Sequence, residues 1–185
     1  MTTQAEQDYL KAVYMLQQYS SEDKPVNTAM IADRLQVSPA SASNMIKKLA
    51  TMGLLLHKPY RGVTLTSEGE KIALGIIRRH RLLELYLSDK LGYGWDEVHE
   101  EAEKLEHVIS KEFEKRIDQA MGYPTNDPHG APIPDAKGVM EAPDYRPLTQ
   151  LNEGQTGIIC QVSDRDSDLL RYLESLGLKP GIQIT

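Results

Sequence analysis

Three features of the sequence predict a mainly α protein. It should open with a winged helix-turn-helix, continue as a helical domain and close with a small β-rich domain. First, three helical segments and a hairpin-like stretch follow one another within about 65 residues, the order of a winged helix-turn-helix. Second, no Asp or Glu occurs from Arg34 to Ser67, while Lys47, Lys48, Lys58 and Arg61 all fall there. Third, "HEEAEKLEH", His99 to His107, places ionisable residues where a structural helix stripe would carry Leu, Ile or Val.

Near the N-terminus, "AEQDYLKAVYMLQQYS" sets Leu10, Val13, Tyr14 and Gln17 on one helical face, and "SSEDKP" breaks the chain. Asn27 is a good N-cap for a short helix carrying Ile31 and Leu35, which "QVS" ends. Ser38 followed by Pro39 starts the next helix with a capping hydroxyl and a residue whose missing N–H costs nothing in a first turn. That helix buries Ala42, Met45, Ile46 and Leu49 until Gly53 stops it. "LLLHKPYRGVTLT" reads as two strands about a turn at Pro59–Gly62. Ser67 with Glu70 fits a capping box for a long helix to about Lys90, "GYGWDE" turns the chain, and a helix follows from Trp95 to about Ser110. "KEFEKRIDQAMG" is a further helix, and "YPTNDPHGAPIPDAKG" is too rich in Pro and Gly for regular structure. In the tail, "TGIICQVS" reads as a strand, "SDLLRYLESLG" as a short helix and "LKPGIQIT" as a turn and strand.

Ordinary apolar and charged fractions, 40% and 26%, fit a soluble globular chain. Apolar runs too short for a membrane span and no opening signal peptide point to a cytoplasmic protein without a membrane partner. The single cysteine, Cys160, excludes an internal disulfide and a Cys-rich zinc site. A net charge of -6 argues against nucleic acid, but its distribution does not. Residues 1–65 carry seven basic and five acidic groups, so the excess of acid lies beyond them. Local charge decides where a phosphate backbone can approach.

On the third helix, Ser38, Ala40 and Asn44 are placed to meet base edges, with Pro39 in the same set. Lys47, Lys48, Lys58 and Arg61 read as phosphate contacts, with Ser41 and Thr51 as phosphate-binding hydroxyls.

His99, Glu103, Glu106 and His107 recur at i, i+4, i+7 and i+8, one helix face. His80 and Glu84 stand at i, i+4 on the preceding helix, Asp127 and His129 lie in the loop, and Asp8 adjoins apolar Tyr9. A solvated face laced with ion pairs accounts for Glu100, Glu101 and Lys104. It accounts poorly for His99 and His107, since histidine is a weak helix former. Metal binding is the sharper reading, and no nucleophile motif or phosphate loop accompanies the carboxylates to support catalysis.

The chain resembles the diphtheria-toxin-repressor family, which includes the manganese-transport and iron-dependent regulators. The resemblance is carried by "DYLKAVYML", "IADRLQVSPASASNMIKKL", "GVTLTSEGEKIA", "RRHRLLELYL", "VHEEAEKLEHVIS", "GYPTNDPHGAPIP" and "LLRYLESLGLKPG". It implies a homodimeric, metal-loaded repressor of double-stranded operator DNA, with no small organic substrate and no enzymatic activity, and an SH3-like tail domain. It implies a first metal set of Asp8, Glu103, Glu106 and His107. It implies a second of either His80, Glu84 and His99 or Glu84, Asp127, His129 and Asp164. Iron-type relatives place Met and Cys where this chain has Asp8 and Glu103. A sulfur-free set favours a harder ion, so Mn²⁺ is expected, or Fe²⁺, with Co²⁺, Zn²⁺ and Cd²⁺ as substitutes in vitro. One manganese subgroup has Glu where this chain has Lys11, which argues against a tightly coupled two-metal cluster.

The expected domains are a winged helix-turn-helix over 1–66, a helical dimerisation and metal-binding domain over 67–140, a linker over 141–148 and a partial SH3-like domain over 149–185. Leu83, Leu87 and Leu91 are expected to pack against a symmetry mate. The rival readings are a winged-helix regulator not gated by metal and a metal-dependent hydrolase.

Overall fold

The computed structural model describes residues 2–18, 25–58, 61–140 and 144–185. Most of the predicted "SSEDKP" break, Pro59 and Tyr60 of the predicted turn, and the first three linker residues lie outside the described residues. The chain divides into two compact units, Met1–Ile77 and Arg78–Thr185.

In the first unit, α1 (Gln4–Gln17) starts on Thr3, whose hydroxyl accepts the Glu6 N–H while the Glu6 carboxylate accepts the Thr3 N–H. Two orphan donors of the first turn are thereby satisfied. Asn27 caps α2 (Thr28–Arg34), and Ser38 caps α3 (Pro39–Thr51) with Pro39 in its first turn. Strands β1 (Leu55–Lys58) and β2 (Gly62–Leu65) pair antiparallel, Leu55 opposite Leu65 and Lys58 opposite Gly62. Leu10, Val13, Ile31, Ala42, Ile46, Leu49, Leu55 and Val63 form the core. This leaves the other side of α3 and the hairpin in solvent, the arrangement that positions a winged-helix recognition surface.

Helix α4 (Ser67–Leu91) begins one residue earlier than expected, with Ser67 inside it. Thr66, not Ser67, takes the capping role: its hydroxyl accepts the Gly69 N–H at 3.2 Å and donates to the Gly53 carbonyl at 2.8 Å.

In the second unit, α5 spans only Val98–Leu105, shorter than the helix expected over 95–110. Trp95–Glu97 form a turn, in which the Glu97 carboxylate accepts the Gly94 N–H, and Glu106–Val108 form another. Helix α6 (Lys111–Ala120) is capped by Ser110. Leu82, Leu83, Leu87, Val98, Ala102, Ile117 and Ile133 make the core. Leu83 and Leu87 are therefore interior residues of the subunit, not the dimer-facing residues expected; of the three, only Leu91 is exposed. Buried Arg78 ties α4 to α6 and to the loop beyond it, donating to Glu114 at 3.0 Å, Asp118 at 2.7 Å and the Pro134 carbonyl at 2.7 Å.

The tail contains a 3-10 turn (Leu148–Gln150), β3 (Gly157–Ile158), α7 (Ser167–Ser175) and β4 (Gln183–Ile184), with β3 antiparallel to β4. Its β content is two-residue strands only, because the predicted strand "TGIICQVS" pairs just at Gly157 and Ile158. Ile159 still bonds through its backbone to Ile182 and Gly181, at 2.9 and 2.7 Å, but beyond it the Val162 N–H reaches the His129 carbonyl at 2.9 Å.

Candidate metal centre

Helix α4 presents His80 and Glu84 one turn apart, both buried. Helix α5 brings His99 against them. The Nε2 atom of His80 lies 3.0 Å from Glu84 Oε1 and 3.1 Å from His99 Nδ1. The same His99 Nδ1 lies 3.2 Å from Glu84 Oε1 and 3.5 Å from Asp164 Oδ2. Donor atoms held about 2.1 Å from one ion at right angles stand ~3 Å apart, so these edges have the lengths of a coordination polyhedron. The other ring nitrogen of His80, Nδ1, is 2.5 Å from Glu106 Oε2, the carboxylate contact that commonly orients a ligand histidine.

On the other side of Glu84, the loop supplies Asp127 and His129, both buried. The Oδ1 atom of Asp127 accepts the N–H groups of His129 and Ala131, each at 2.9 Å. His129 Nε2 is 2.6 Å from the Trp95 carbonyl. A carbonyl only accepts, so Nε2 carries a proton, and in the neutral ring Nδ1 offers its lone pair. Among the described residues, Glu84 Oε2, Asp127 Oδ2 and His129 Nδ1 are buried polar atoms with no hydrogen-bond partner. Each of these residues offers one ligand atom to a group within 4.8 Å. Three such atoms in one place are costly unless something binds them.

The electrostatics agree. Burial alone pushes the Glu84 carboxyl up, but the imidazoles of His80, His99 and His129 outweigh it and hold the group well below the usual carboxylate range. Burial and the adjacent Glu84 push Asp127 up to about 7, against the pull of Arg81 and His129. One carboxylate is ionised and its neighbour resists ionisation, a conflict that a divalent cation would relieve. The residues present thus fit a metal ion: imidazole and carboxylate donors, no sulfur, and orphaned acceptors turned to common points.

The structure places both versions of the second ligand set on the two sides of Glu84. Asp164 groups with His80, Glu84 and His99, while Asp127 and His129 group with Glu84. Its neighbours Asp166 and Asp168 are engaged otherwise: Asp166 caps α7 and Asp168 pairs with Arg171. Glu103 and Glu106 group with His80, and His107 Nε2 lies 3.2 Å from Glu106 Oε1. Glu106 and His107 sit just past the end of α5. Asp8 belongs to α1 of the first unit.

Sequence reasoning missed Trp95 and Arg81. Trp95 acts through its backbone carbonyl, which no side-chain pattern announces. Arg81 is a buried cation 3.7 Å from Asp127 Oδ2.

In the first unit, Ser38, Pro39, Ala40, Ser41, Asn44, Lys47, Lys48 and Thr51 are all exposed along α3, and Lys58 and Arg61 are exposed on the hairpin. Some of these groups have internal partners. The Ser38 hydroxyl caps the helix, the Thr51 hydroxyl donates to the Lys47 carbonyl, and Lys48 pairs with Glu6 at 2.9 Å. His57, exposed on β1 beside Lys58, was not anticipated, although it falls in the acid-free window.

Three family profiles match the chain. "Iron dependent repressor, N-terminal DNA binding domain" matches residues 1–63, and "Iron dependent repressor, metal binding and dimerisation domain" matches 66–135. "FeoA domain" matches 146–185. The iron-dependent repressor IdeR of Mycobacterium leprae is 32% identical over 189 residues, covering 96% of this chain and 81% of that protein. A diphtheria toxin repressor of Corynebacterium efficiens is 30% identical, covering 95% and 80%. Among solved structures, a manganese-dependent transcriptional repressor in complex with manganese superposes with TM-score 0.89 at 46% identity, covering 96% and 81%. ScaR with bound Cd²⁺ superposes with TM-score 0.81 at 39% identity, covering 96% and 82%.

Proposed function

The chain belongs to the diphtheria-toxin-repressor family of metal-dependent transcriptional repressors, and we propose that it is a homodimeric repressor of operator DNA activated by Mn²⁺, with Fe²⁺ as the alternative metal. The observation that carries the metal reading is the trio of buried acceptors on Glu84, Asp127 and His129 that have no hydrogen-bond partner. Mn²⁺ is favoured because the donors are carboxylates and imidazoles without sulfur. The manganese complex of a 46% identical repressor supports the same choice.

Asp8, Glu103, Glu106 and His107 would hold one ion. His80, Glu84, His99 and Asp164, with Asp127 and His129 beside them, would hold the second. A bound divalent cation supplies positive charge that offsets the mutual repulsion of these carboxylates. The residues themselves do the rest. His80 is oriented by Glu106, His129 is oriented by the Trp95 carbonyl, and Asp127 would have to be ionised to hold the cation. With Asp8 on the DNA-binding unit, ligation in the first set would favour one arrangement of the recognition helices, which a dimer must present about 34 Å apart. In that reading Asn44 meets a base edge, and Lys47, Lys58 and Arg61 meet phosphates.

Dimerisation rests on the matched dimerisation profile. Leu91, Val108 and Phe113, exposed on the helical unit, are among the apolar residues available to a partner. No described helix is long and apolar enough to cross a membrane, and an operator-binding protein acts in the cytoplasm.

The test is a titration of Mn²⁺ into the full chain with a mobility shift of duplex DNA selected from a random pool. A shift that requires Mn²⁺ is expected. A shift independent of metal would leave an ungated winged-helix regulator. Metal binding without any shift would sink the repressor reading.

A further inference from the structure

The Glu6 side chain is 4% exposed although it lies in the first turn of α1. Both of its oxygens are engaged. Oε2 accepts the Thr3 N–H at 2.7 Å, and Oε1 is 2.9 Å from Lys48 Nζ. Lys48 belongs to the last turn of α3, and its side chain is 58% exposed. A carboxylate taken out of water is costly to leave with an unpaired oxygen. An ammonium held by a buried carboxylate is already neutralised. It has little charge to release counterions from a phosphate.

We propose that Glu6 and Lys48 form a brace between α1 and the recognition helix, so that Lys48 is a positioning residue of the DNA surface and not a phosphate contact. This rests on the reading of α3 as the DNA-reading helix. The brace fixes the C-terminal half of α3 against the first turn of α1, two residues before Asp8. Whatever constrains the start of α1 therefore constrains the tilt of α3, while the exposed Lys47 beside it remains the phosphate-facing lysine.

Two measurements on the full chain test it. The first needs no DNA: a double-mutant cycle on the thermal midpoint of metal-free protein with Glu6→Gln, Lys48→Ala and both together. The brace requires a double variant no less stable than the weaker single variant; additive losses would overturn it. The second measures binding of the Mn²⁺-loaded chain to the selected duplex at several salt concentrations. Lys47→Ala should reduce the salt slope by about 0.9, the value for one phosphate contact. Lys48→Ala should weaken binding roughly tenfold with the slope unchanged, and Glu6→Gln should do the same. A reduced slope for Lys48→Ala would overturn the proposal, and that result decides the matter even if Glu6→Gln does not fold. Tighter binding by Glu6→Gln would also overturn it, since Glu6 would then be competing with DNA for Lys48. Failure of the wild type to bind any duplex would count against the repressor reading, and the thermal cycle would still judge the brace.

Discussion

His129 donates its Nε2–H to the Trp95 carbonyl at 2.6 Å, which leaves Nδ1 on the side of Glu84, whose Oε1 is 4.0 Å away. The ring also stacks on the Trp95 indole, centroids 5.8 Å apart. An imidazole fixed in tautomer and orientation before any ion arrives is a preorganised donor. His129→Ala should therefore lower Mn²⁺ affinity of the second set by at least about tenfold. Calorimetric titration of the full chain measures it, and an unchanged isotherm would remove His129 from the ligands.

Asp127 makes the metal-free protein sensitive to pH. Its carboxyl titrates at about 7 in the fold against an ordinary value of 3.8. Between those values the folded state holds the extra proton, so stability falls as pH rises through the window and the loss is complete above about 7. Asp127→Asn cannot ionise and should escape this loss, on the order of 4 kcal/mol when fully developed. In metal-free protein the variant should gain on the wild type between pH 5 and pH 8, read by denaturant unfolding. A constant difference across that range would mean that Asp127 ionises normally.

Gly130 permits the tail to approach the loop that carries Asp127 and His129. Its φ is +85°, and a Cβ there would stand 1.9 Å from the Cys160 carbonyl oxygen. Gly130→Ala combines a left-handed backbone penalty with a collision against backbone, which cannot turn aside. The expected result is loss of the bond from Val162 N–H to the His129 carbonyl. Hydrogen exchange at the Val162 amide should accelerate at least tenfold, and second-set Mn²⁺ affinity should fall with Asp164 displaced. Wild-type protection at Val162 in the variant would contradict this.

On the DNA side, Asn44→Ala should lower the ratio of specific to random-duplex binding by about 1–3 kcal/mol, the value of one bidentate base contact. Arg61→Ala should weaken both about equally and flatten the salt dependence. Competition binding at two salt concentrations separates these patterns, and an unchanged ratio for Asn44→Ala would move the base contacts elsewhere on α3.

What the sequence announced were local devices. Asn27 and Ser38–Pro39 carry their own start signals, and both cap helices where expected. The histidines of α4 and α5 were conspicuous because ionisable groups occupied a stripe where apolar ones were due. What it concealed depended on distant backbone. Thr66 displaces Ser67 as the cap, its hydroxyl held between the Gly69 N–H and the Gly53 carbonyl, and position 69 must be glycine because a Cβ there would stand 2.1 Å from the Leu54 carbonyl oxygen. With glycine three residues after the cap, no capping box can close, and Glu70 is left exposed. The partner of Lys48 lies in another helix, and the group that orients His129 is a main-chain carbonyl, which every residue possesses. Leu83 and Leu87 looked like interface residues only because the core that α5 and α6 build over them could not be read from α4 alone.

Glu84 stands in both halves of the second ligand set, facing His80 and His99 with Oε1 while Oε2 is left over on the buried side. A shared ligand makes occupancies interdependent. An ion held on one side would change the charge and freedom of Glu84 on the other, so the two sides could not act as independent sites. The steepness with which a cell's metal level is converted into promoter occupancy would then be set largely at one side chain. Glu84→Gln, which keeps the shape and removes the charge, should alter the curvature of the dose response as well as its midpoint.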